Sequence, residues 1–464
     1  MRSSEYRGAW WAAVLVAAAL TGCAMPNPPG SLVMAEDPAT TTSSPTVDKD
    51  STPASSPWGA LVGNAALDDW IRKAVARHPA LKTARAGTEV ARSRVRAARA
   101  ARRPALDVQL DARAGEHGGT AVSSGGNLEP AAFKVEGSWE LDPFGRIRAA
   151  VGAARYAQVA ADYERRDLEL AIAAEIAAEY VAALLQFERL AIRKSIVAAR
   201  AEIERYHRNR LDAGLTKREM RERSTARRLE AERAQLETAK ELAVLAENWK
   251  ALVPTNSVPT IPSIERVPLP PIPDVPKQDR LHVYAVNRPD VTAANADRRS
   301  ADRRSAAAAR GRLPTMAAVV SAEGTGPSPV DEPDEWMAWA GVRVTLPVLA
   351  PGTAAGTDVG RAAADHAAAQ LDDAVRLALL DVRRAYAQRV HAEREWQAAR
   401  ARAAELKAAL ASVERQRERG LLSVPEVAEA RLAWLAADEK ARMLHARTLQ
   451  HHISLVRACG GPGI

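Results

Sequence analysis

Aromatic residues are scarce in this chain of 464 residues. Phe, Trp and Tyr together make up 4% of the sequence, and only three residues are Phe. A large aromatic core is therefore not expected. Hydrophobic residues reach 47%, largely through alanine, and charged residues make up 26%. Alanine combined with Arg and Glu at helical spacing indicates long helices in close contact.

Motifs of enzymes and of metal sites are also missing. The sequence contains no nucleophile elbow, phosphate-binding loop or HExxH motif, so we expect neither catalysis nor a cofactor. His445, His451 and His452 form the one candidate group of metal ligands. Neighbouring histidines on a helix point in different directions, and no matching Cys, Asp or Glu cluster accompanies them. The sequence therefore predicts no metal site.

A net charge of +8 raises the question of nucleic acid as a partner. The charges alternate in sign along the predicted helices and do not gather into one basic stretch. No zinc-finger, helix-turn-helix or RNA-binding motif is present. A solvated helical surface explains most of these charges, so no nucleic-acid partner is expected.

An apolar run extends from Ala9 to Leu20 and follows Arg2 and Arg7. It is too short to span a bilayer as a helix and is typical of an export signal. The run ends in Leu-Thr-Gly-Cys, which is similar to a bacterial lipobox. We therefore expect residues 1–22 to be a lipoprotein signal peptide and Cys23 to be lipidated. The alternative is an ordinary signal peptide with a chance cysteine.

The residues after the cysteine extend this interpretation. Ala24, rather than Asp, follows Cys23, which favours sorting to the outer membrane in enteric-type bacteria. Once Cys23 is acylated, Cys459 has no partner, so no intramolecular disulfide is expected. Residues 23–60 are rich in Pro, Ser, Thr and Asp and are predicted to form a flexible tether.

The rest of the chain contains one pattern twice. Four landmarks recur in the same order at an offset of 206 to 210 residues. Such a duplication must be recognised before any fold is assigned. It predicts a first repeat over residues 61–253 and a second over residues 279–464, joined by a proline-rich connector over residues 254–278. The landmarks are His78-Pro79 with Arg288-Pro289, Pro104 with Pro314, Tyr180 with Tyr386, and Gly214-Leu215 with Gly420-Leu421.

Helical sequence dominates both repeats. Residues 146–211 contain no proline and only one glycine, so a continuous helix of roughly 100 Å is expected at about 1.5 Å per residue. Apolar residues in the second repeat recur at spacings of three and four, which indicates a coiled-coil seam. The seam residues are Trp396, Ala399, Ala403, Leu406, Leu410 and Val413. Helices are predicted over residues 67–102, 146–211, 217–252, 290–312, 360–419 and 424–457.

Two strand-like segments lie between the helices of the first repeat. Apolar residues from Leu106 to Ala114 and from Phe133 to Leu141 alternate with polar ones, so each strand has one apolar face. This pattern suits a soluble, half-buried sheet. It also suits a membrane-spanning hairpin, because about nine to eleven residues cross a bilayer as a tilted strand. Trp139 and an adjacent Phe144 suit an aromatic girdle.

The strand pair of the second repeat, residues 315–323 and 335–346, alternates less well. Met337 and Trp339 lie on the face expected to be polar. Each repeat nevertheless places a β-hairpin between long helices. The predicted fold is therefore mainly α with a small β part, built from two structural repeats of long coiled-coil helices with β-hairpins.

Several segments resemble the TolC-type outer-membrane efflux family. His78-Pro79 followed by Pro104 is similar to the opening of the family's repeat. Residues 139–146, Trp-Glu-Leu-Asp-Pro-Phe-Gly-Arg, are similar to its turn from the second strand into the long helix. Tyrosines within both long helices match its mid-helix tyrosines. The resemblance covers residues 67–461, and the lipobox places it nearer the lipoprotein branch represented by OprM and NodT.

The resemblance implies a homotrimer. Each chain would give its strands to one shared outer-membrane β-barrel, and the helices would form a periplasmic α-helical tunnel. Such proteins dock onto a periplasmic adaptor, also called a membrane fusion protein, and an inner-membrane pump. They act as passive ducts that carry substrates out of the cell. The expected partners are therefore further copies of the chain, the adaptor, the pump and outer-membrane lipid.

The resemblance also assigns the two helix-hairpin tips to adaptor docking. Lys217 stands where the family usually has a small hydroxyl residue, and Pro425 lies inside the second tip. These departures bear on the partner's identity and not on the fold. The tip residues are Gly214, Leu215 and Thr216 in the first repeat, and Gly420, Leu421 and Ser423 in the second.

Glu426 and Glu429 match the family's periplasmic gate, because acidic residues stand six and nine positions after the tip glycine. They are three residues apart and hence on one helix face. Their mutual repulsion would be offset by water and cations, or by nearby arginines. The alternative is a solvated acidic patch at a helix start, which the helix dipole favours. The candidate arginines are Arg415, Arg419 and Arg431.

A second hypothesis is a periplasmic coiled-coil lipoprotein that acts as a structural spacer or adaptor. It accounts for the helices and the lipid. It does not account for two hairpins of barrel-strand length at equivalent places in two repeats.

Overall fold

The computed structural model describes residues 58–111, 131–253, 268–326, 335–348 and 350–462. The predicted signal peptide, Cys23 and most of the predicted tether lie outside the described residues, as does the part of the connector from 254 to 267. Among the described residues, no helix combines the length and the apolar character needed to cross a bilayer.

Nine α-helices and four strands are described. A 3-10 turn at Gln278–Arg280 precedes the sixth helix. The helices are α1 Trp58–Leu61, α2 Ala66–Arg77, α3 Pro79–Ala100, α4 Arg146–Asp212, α5 Arg218–Leu252, α6 Leu281–Val286, α7 Pro289–Arg310, α8 Pro351–Glu418 and α9 Val424–Ala458. The strands are β1 Ala105–Asp111, β2 Ala131–Leu141, β3 Thr315–Gly326 and β4 Glu335–Thr345. The predicted order of helices and hairpins in two repeats is confirmed.

Two helix boundaries differ from the sequence prediction. The helix predicted over residues 67–102 is broken at His78, whose ψ of 129° is extended. Pro79 causes the break, because the proline ring disfavours helical geometry at the residue before it. The helix predicted to start at Gly360 instead starts at Pro351. Gly360 lies within α8 at a point where α7 packs closely against it. A Cβ at Gly360 would come 3.2 Å from Cα of Ser305 in α7.

The chain divides into two compact units, and the first contains the sheet. Its described residues lie within the ranges 89–158 and 296–368. The strands form one antiparallel sheet in the order β1-β2-β3-β4. The hairpin of each repeat is present, and β2 also pairs with β3 through Val135 opposite Ala322. The hairpins of the two repeats thus form a single sheet.

The second unit comprises the described residues 58–88, 159–253, 268–295 and 369–462. Its main core gathers α1, α2 and the ends of α5 and α9 around the middle of α4. Tyr180 is fully buried there and its hydroxyl accepts a hydrogen bond from Asn64 Nδ2 at 2.9 Å. Trp70 packs edge-on against both Tyr180 and Trp249. Three of the chain's few aromatic residues thus meet in this one core.

The second repeat contributes a smaller core of its own. Leu281 and Ala285 of α6 pack with Val382 of α8 and Leu455 of α9. The predicted coiled-coil seam is confirmed along part of its length. There Ala399, Ala403 and Leu406 of α8 pack against Ala437 and Ala441 of α9.

The second half of the connector lies against the second unit. Arg389, which is fully buried, donates from Nη2 to the carbonyl oxygen of Pro273 at 2.7 Å and from Nη1 to Glu393 at 2.8 Å. The backbone N–H of Leu269 donates to Glu188 at 3.4 Å. A buried arginine thus supplies the polar partner that an extended, proline-rich segment cannot find within itself.

His452 lies beside this arginine and is itself buried. Burial, with a smaller repulsion from Arg389, lowers the pKa of His452 to about 4, although Glu393 acts in the opposite direction. The folded chain therefore keeps the imidazole neutral at a pH where an unfolded chain protonates it. Between about pH 6.5 and pH 4, unfolding is therefore coupled to uptake of a proton by His452. The contribution of the neutral His452 to the free energy of unfolding is fully present above pH 6.5 and is lost as the pH falls towards 4.

We expect His452→Met to flatten the loss of stability between pH 6.5 and pH 4, because the substitution removes one proton uptake worth up to about 1.4 kcal/mol per pH unit. The measurement is the thermal unfolding midpoint at several pH values. His391→Met, at an exposed position of α8, is the control and should keep the wild-type slope. A slope unchanged by His452→Met would show that this histidine does not contribute.

Candidate functional site

The sheet places its apolar side chains on one face, named here the apolar face. Val108 pairs with Val135, which pairs with Ala322, which in turn pairs with Ala338, so these positions share a face. No charged residue stands on this face of the described strands. Its members include Leu106, Val108, Leu110, Phe133, Val135, Gly137, Trp139, Leu141, Met316, Ala318, Val320, Ala322, Gly324, Trp336, Ala338, Ala340, Val342 and Val344.

The apolar face is not covered by the chain itself. Val108 is 61% exposed, Leu110 69% and Val342 62%. Two glycines on this face, Gly137 and Gly324, allow large neighbours to pack over the backbone. A Cβ at Gly324 would collide with the ring of Phe133, and one at Gly137 would collide with Val320. The face is therefore closely packed along its middle strands but open to its surroundings.

The opposite face carries the charges of the sheet. Glu136 pairs with Lys134 at 3.0 Å and with Arg343 of β4 at 3.6 Å. Met337 and Trp339 interrupt this polar face and are exposed, as the weaker alternation of the second repeat indicated. The other polar members are Asp107, Gln109, Asp111, Ser138, Glu140, Ser321, Glu323, Thr325, Glu335 and Thr345.

Both edges of the sheet are unpaired within the described residues. β1 and β4 each have one neighbouring strand, and every residue of both is exposed. Edge strands of this length present rows of backbone N–H and C=O groups that can pair with another strand. An exposed apolar face and two open edges together make the sheet structurally incomplete in a single chain.

The two helix-hairpin tips share one backbone geometry. Gly214 and Gly420 have φ angles of 69° and 76°, in the left-handed region. The N–H of Leu215 donates to the carbonyl oxygen of Arg210 at 2.7 Å, and the N–H of Leu421 donates to Gln416 at 3.0 Å. The glycines donate to the carbonyl three residues earlier. This is the Schellman motif, which glycine adopts at low energetic cost.

The residues after the glycines differ between the tips. Leu215 and Leu421, which follow the glycines, are 63% and 69% exposed. In the second tip Ser423 and Glu426 form a capping box at the start of α9. Lys217, at the same position in the first tip, makes no side-chain capping bond. Pro425 lies at the second position of α9, where its missing N–H loses no helical hydrogen bond.

The two candidate gate residues have different environments. The Glu426 carboxylate accepts hydrogen bonds from the Ser423 side chain at 2.7 Å and backbone at 2.6 Å, and these bonds lower its pKa. Glu429 instead pairs with Arg200 of α4 at 2.8 Å and with Arg227 of α5 at 3.6 Å. The arginines proposed from the sequence are not its partners. Arg431 pairs with Glu414 at 3.1 Å.

One charged feature escaped the sequence interpretation. Residues 89–104 and 296–314, equivalent in the two repeats, contain twelve arginines but only three acidic residues. The even alternation of charge expected for all helices is therefore wrong here. These residues belong to the ends of α3 and α7, where both helices lead into strands. A charge count in short windows would have found them, whereas the chain average conceals them.

Comparison with protein families gives one match. The sequence model of the family described as outer membrane efflux protein matches residues 70–249 and 281–461, once in each repeat. A comparison with curated proteins finds no significant match.

Solved structures with the same fold include outer membrane channels. The outer membrane protein VceC of Vibrio cholerae superposes with a TM-score of 0.74 at 19% identity, covering 88% of this chain and 99% of that one. The CmeC outer membrane channel of Campylobacter jejuni gives 0.74 at 16% identity, with 87% of each chain covered. The open state of the MtrE outer membrane channel of Neisseria gonorrhoeae gives 0.72 at 20% identity, covering 85% and 89%.

These findings confirm both the duplication and the resemblance noted in the sequence. At such identities the structural likeness establishes the fold alone. The family match does more, because it covers well over half of the chain in two copies. The chain belongs to the outer membrane efflux protein family.

Proposed function

We propose that this chain is the outer-membrane channel of a tripartite efflux system. It forms a homotrimer and acts as a passive duct that receives substrates from a periplasmic adaptor and an inner-membrane pump. The observation that carries the proposal is the uncharged, exposed apolar face on a sheet with two open edges. No enzymatic activity is needed for this role.

The sheet suits a bilayer only as part of a larger assembly. Strands of 11 and 12 residues are long enough to cross the hydrocarbon layer when tilted. A bilayer does not tolerate unpaired strand edges, so the edges must pair with other copies to close a barrel. The apolar face then meets lipid, and the face with Asp107, Glu136 and Arg343 lines water.

The spacer hypothesis explains the structure less well. A spacer in water would expose the apolar face and both edges to solvent, where they favour aggregation. The family match also argues for a channel. The lipid anchor at Cys23 is part of both hypotheses, and for this channel we infer attachment to the outer membrane by that anchor, with a large periplasmic portion.

Matched substitutions on neighbouring residues test the barrel. Val108→Arg places a charge on the apolar face, where it should cost roughly 2–4 kcal/mol near mid-membrane and deplete the heat-modifiable trimer in outer-membrane fractions. Gln109→Arg places the same residue on the polar face and should leave the trimer intact while changing its conductance in planar bilayers. Equal effects of the two substitutions would contradict the barrel.

Cys23→Ser should lose palmitate labelling yet keep the trimer.

The exposed tip leucines are proposed to contact the adaptor. Leu215→Asp combined with Leu421→Asp should abolish crosslinking to the adaptor, because a charge replaces the apolar surface, while trimer levels stay normal. Leu215→Met with Leu421→Met keeps the apolar character and is the matched control. If the aspartate variant loses the trimer as well, the leucines are structural and the docking role fails.

Glu426 and Glu429 are proposed to line the periplasmic gate. In that case divalent cations block the channel from the periplasmic side, and Glu426→Gln with Glu429→Gln weakens the block and alters single-channel conductance. Ser423→Ala separates the two roles of Glu426, because it removes the capping bond but leaves the carboxylate. It should preserve the block. Unchanged conductance and cation block in the double variant would exclude both residues from the gate.

A further inference from the structure

Two equivalent segments carry the positive charge of this chain. Residues 89–104 and 296–314 hold nine more arginines than acidic residues, whereas the entire chain has a net charge of +8. The remaining residues together are thus close to neutral. Both segments belong to the unit that contains the sheet. Such concentration within one unit requires an explanation beyond a solvated helical surface.

Four of these arginines lie near the helix ends that lead into β1 and β3 and have no acidic partner. We name them the arginine belt: Arg99, Arg102, Arg103 and Arg312. All four are exposed, and none forms an ion pair within the described part of the chain. Other arginines of the same segments are engaged. Arg298 pairs with Asp302 at 3.0 Å, for example. The belt therefore consists of guanidinium groups next to the strands that the chain itself leaves available.

The belt directly adjoins the apolar face. Arg102 and Arg103 lie in the turn between α3 and β1, and Arg312 lies in the equivalent turn between α7 and β3. Trp139, on the apolar face, donates its indole N–H to the carbonyl oxygen of Arg102 at 2.9 Å. Leu313, beside Arg312, is 39% exposed. The apolar Leu313, the aromatic Trp139 and the cationic arginines thus lie at the same end of the strands.

We propose that the arginine belt binds the phosphate groups of anionic phospholipids. The inference rests on the proposed membrane position of the sheet. A guanidinium group presents a planar set of donors that matches phosphate oxygens, and cations at a membrane surface are attracted to anionic lipid. The indole of Trp139 is of the kind that lies at headgroup level, apolar on one side and hydrogen-bonded on the other.

Lipid is favoured over other anionic partners by continuity with the apolar face. The lipid that covers this face with its chains places its headgroup at the end of the strands, where the belt lies. The occupant is therefore the anionic phospholipid of the leaflet that meets the helix ends. An acidic glycan, or carboxylates of a neighbouring copy, could bind the arginines without an apolar surface beside them. Only a lipid needs the apolar face and the arginine belt next to each other.

The test uses the full chain reconstituted in vesicles of phosphatidylcholine and phosphatidylglycerol, then extracted and purified in detergent. Co-purified lipids are measured by mass spectrometry. We expect the wild type to be enriched in phosphatidylglycerol relative to the vesicles. Replacing all four belt arginines by Gln should return the lipid ratio to that of the vesicles. The control is Arg383→Gln, Arg384→Gln, Arg394→Gln and Arg402→Gln, exposed and unpaired positions of the described α8, which should keep the enrichment.

The outcomes separate this inference from the proposed function. A wild type that inserts but retains lipid at the vesicle ratio overturns the belt and leaves the channel proposal intact. A wild type that does not insert overturns both. Should the fourfold glutamine variant fail to assemble, Arg102→Gln with Arg103→Gln alone decides: a reduced enrichment supports the belt, and an unchanged enrichment overturns it. Loss of binding to purified peptidoglycan, with lipid enrichment unchanged, assigns these arginines to an acidic glycan instead.

Discussion

One face of the sheet is uncharged, and no described part of the chain covers it. This uncovered apolar surface constrains the rest of the structure. Packing a helix on that face would bury it, but the helices carry their apolar residues in cores of their own around Tyr180 and Val382. Open edges on β1 and β4 add unpaired backbone groups to the same surface. The proposed barrel of several copies in a bilayer would satisfy both needs.

The two repeats share a backbone plan but are stabilised by different chemistry. In the helix hairpin of the first repeat, formed by α4 and α5, Glu204 is buried and accepts hydrogen bonds from Arg228 and Thr225. Burial alone would raise the pKa of Glu204, yet these bonds lower it. The equivalent of Glu204 in the second hairpin is Leu410, which is buried and apolar. A buried ion pair between two helices favours one alignment of those helices, whereas an apolar contact allows small shifts along their axes. The helix hairpins of the two repeats can therefore respond differently to a partner.

Local patterns predicted the local structure, and long-range pairing escaped them. Alternation from Leu106 to Leu110 identifies a strand and its apolar face, because both follow from the period of two. The pairing of Val135 with Ala322 joins segments from different repeats, and nothing in either segment specifies it. Gly360 read as a helix start but lies within α8, where close packing with α7 requires it. The partners Arg200 and Arg227 of Glu429 were also hidden, since they lie on other helices.

The tips show how backbone geometry can replace a specific side chain. Ser423 caps α9 and Lys217 does not cap α5, yet both turns have a left-handed glycine and the same pair of backbone hydrogen bonds. The glycine therefore determines the turn, and the capping residue adjusts the stability of the helix that follows. The leucine after the glycine is exposed at both tips, and because the turn depends on the glycine, a departure such as Lys217 leaves it unchanged.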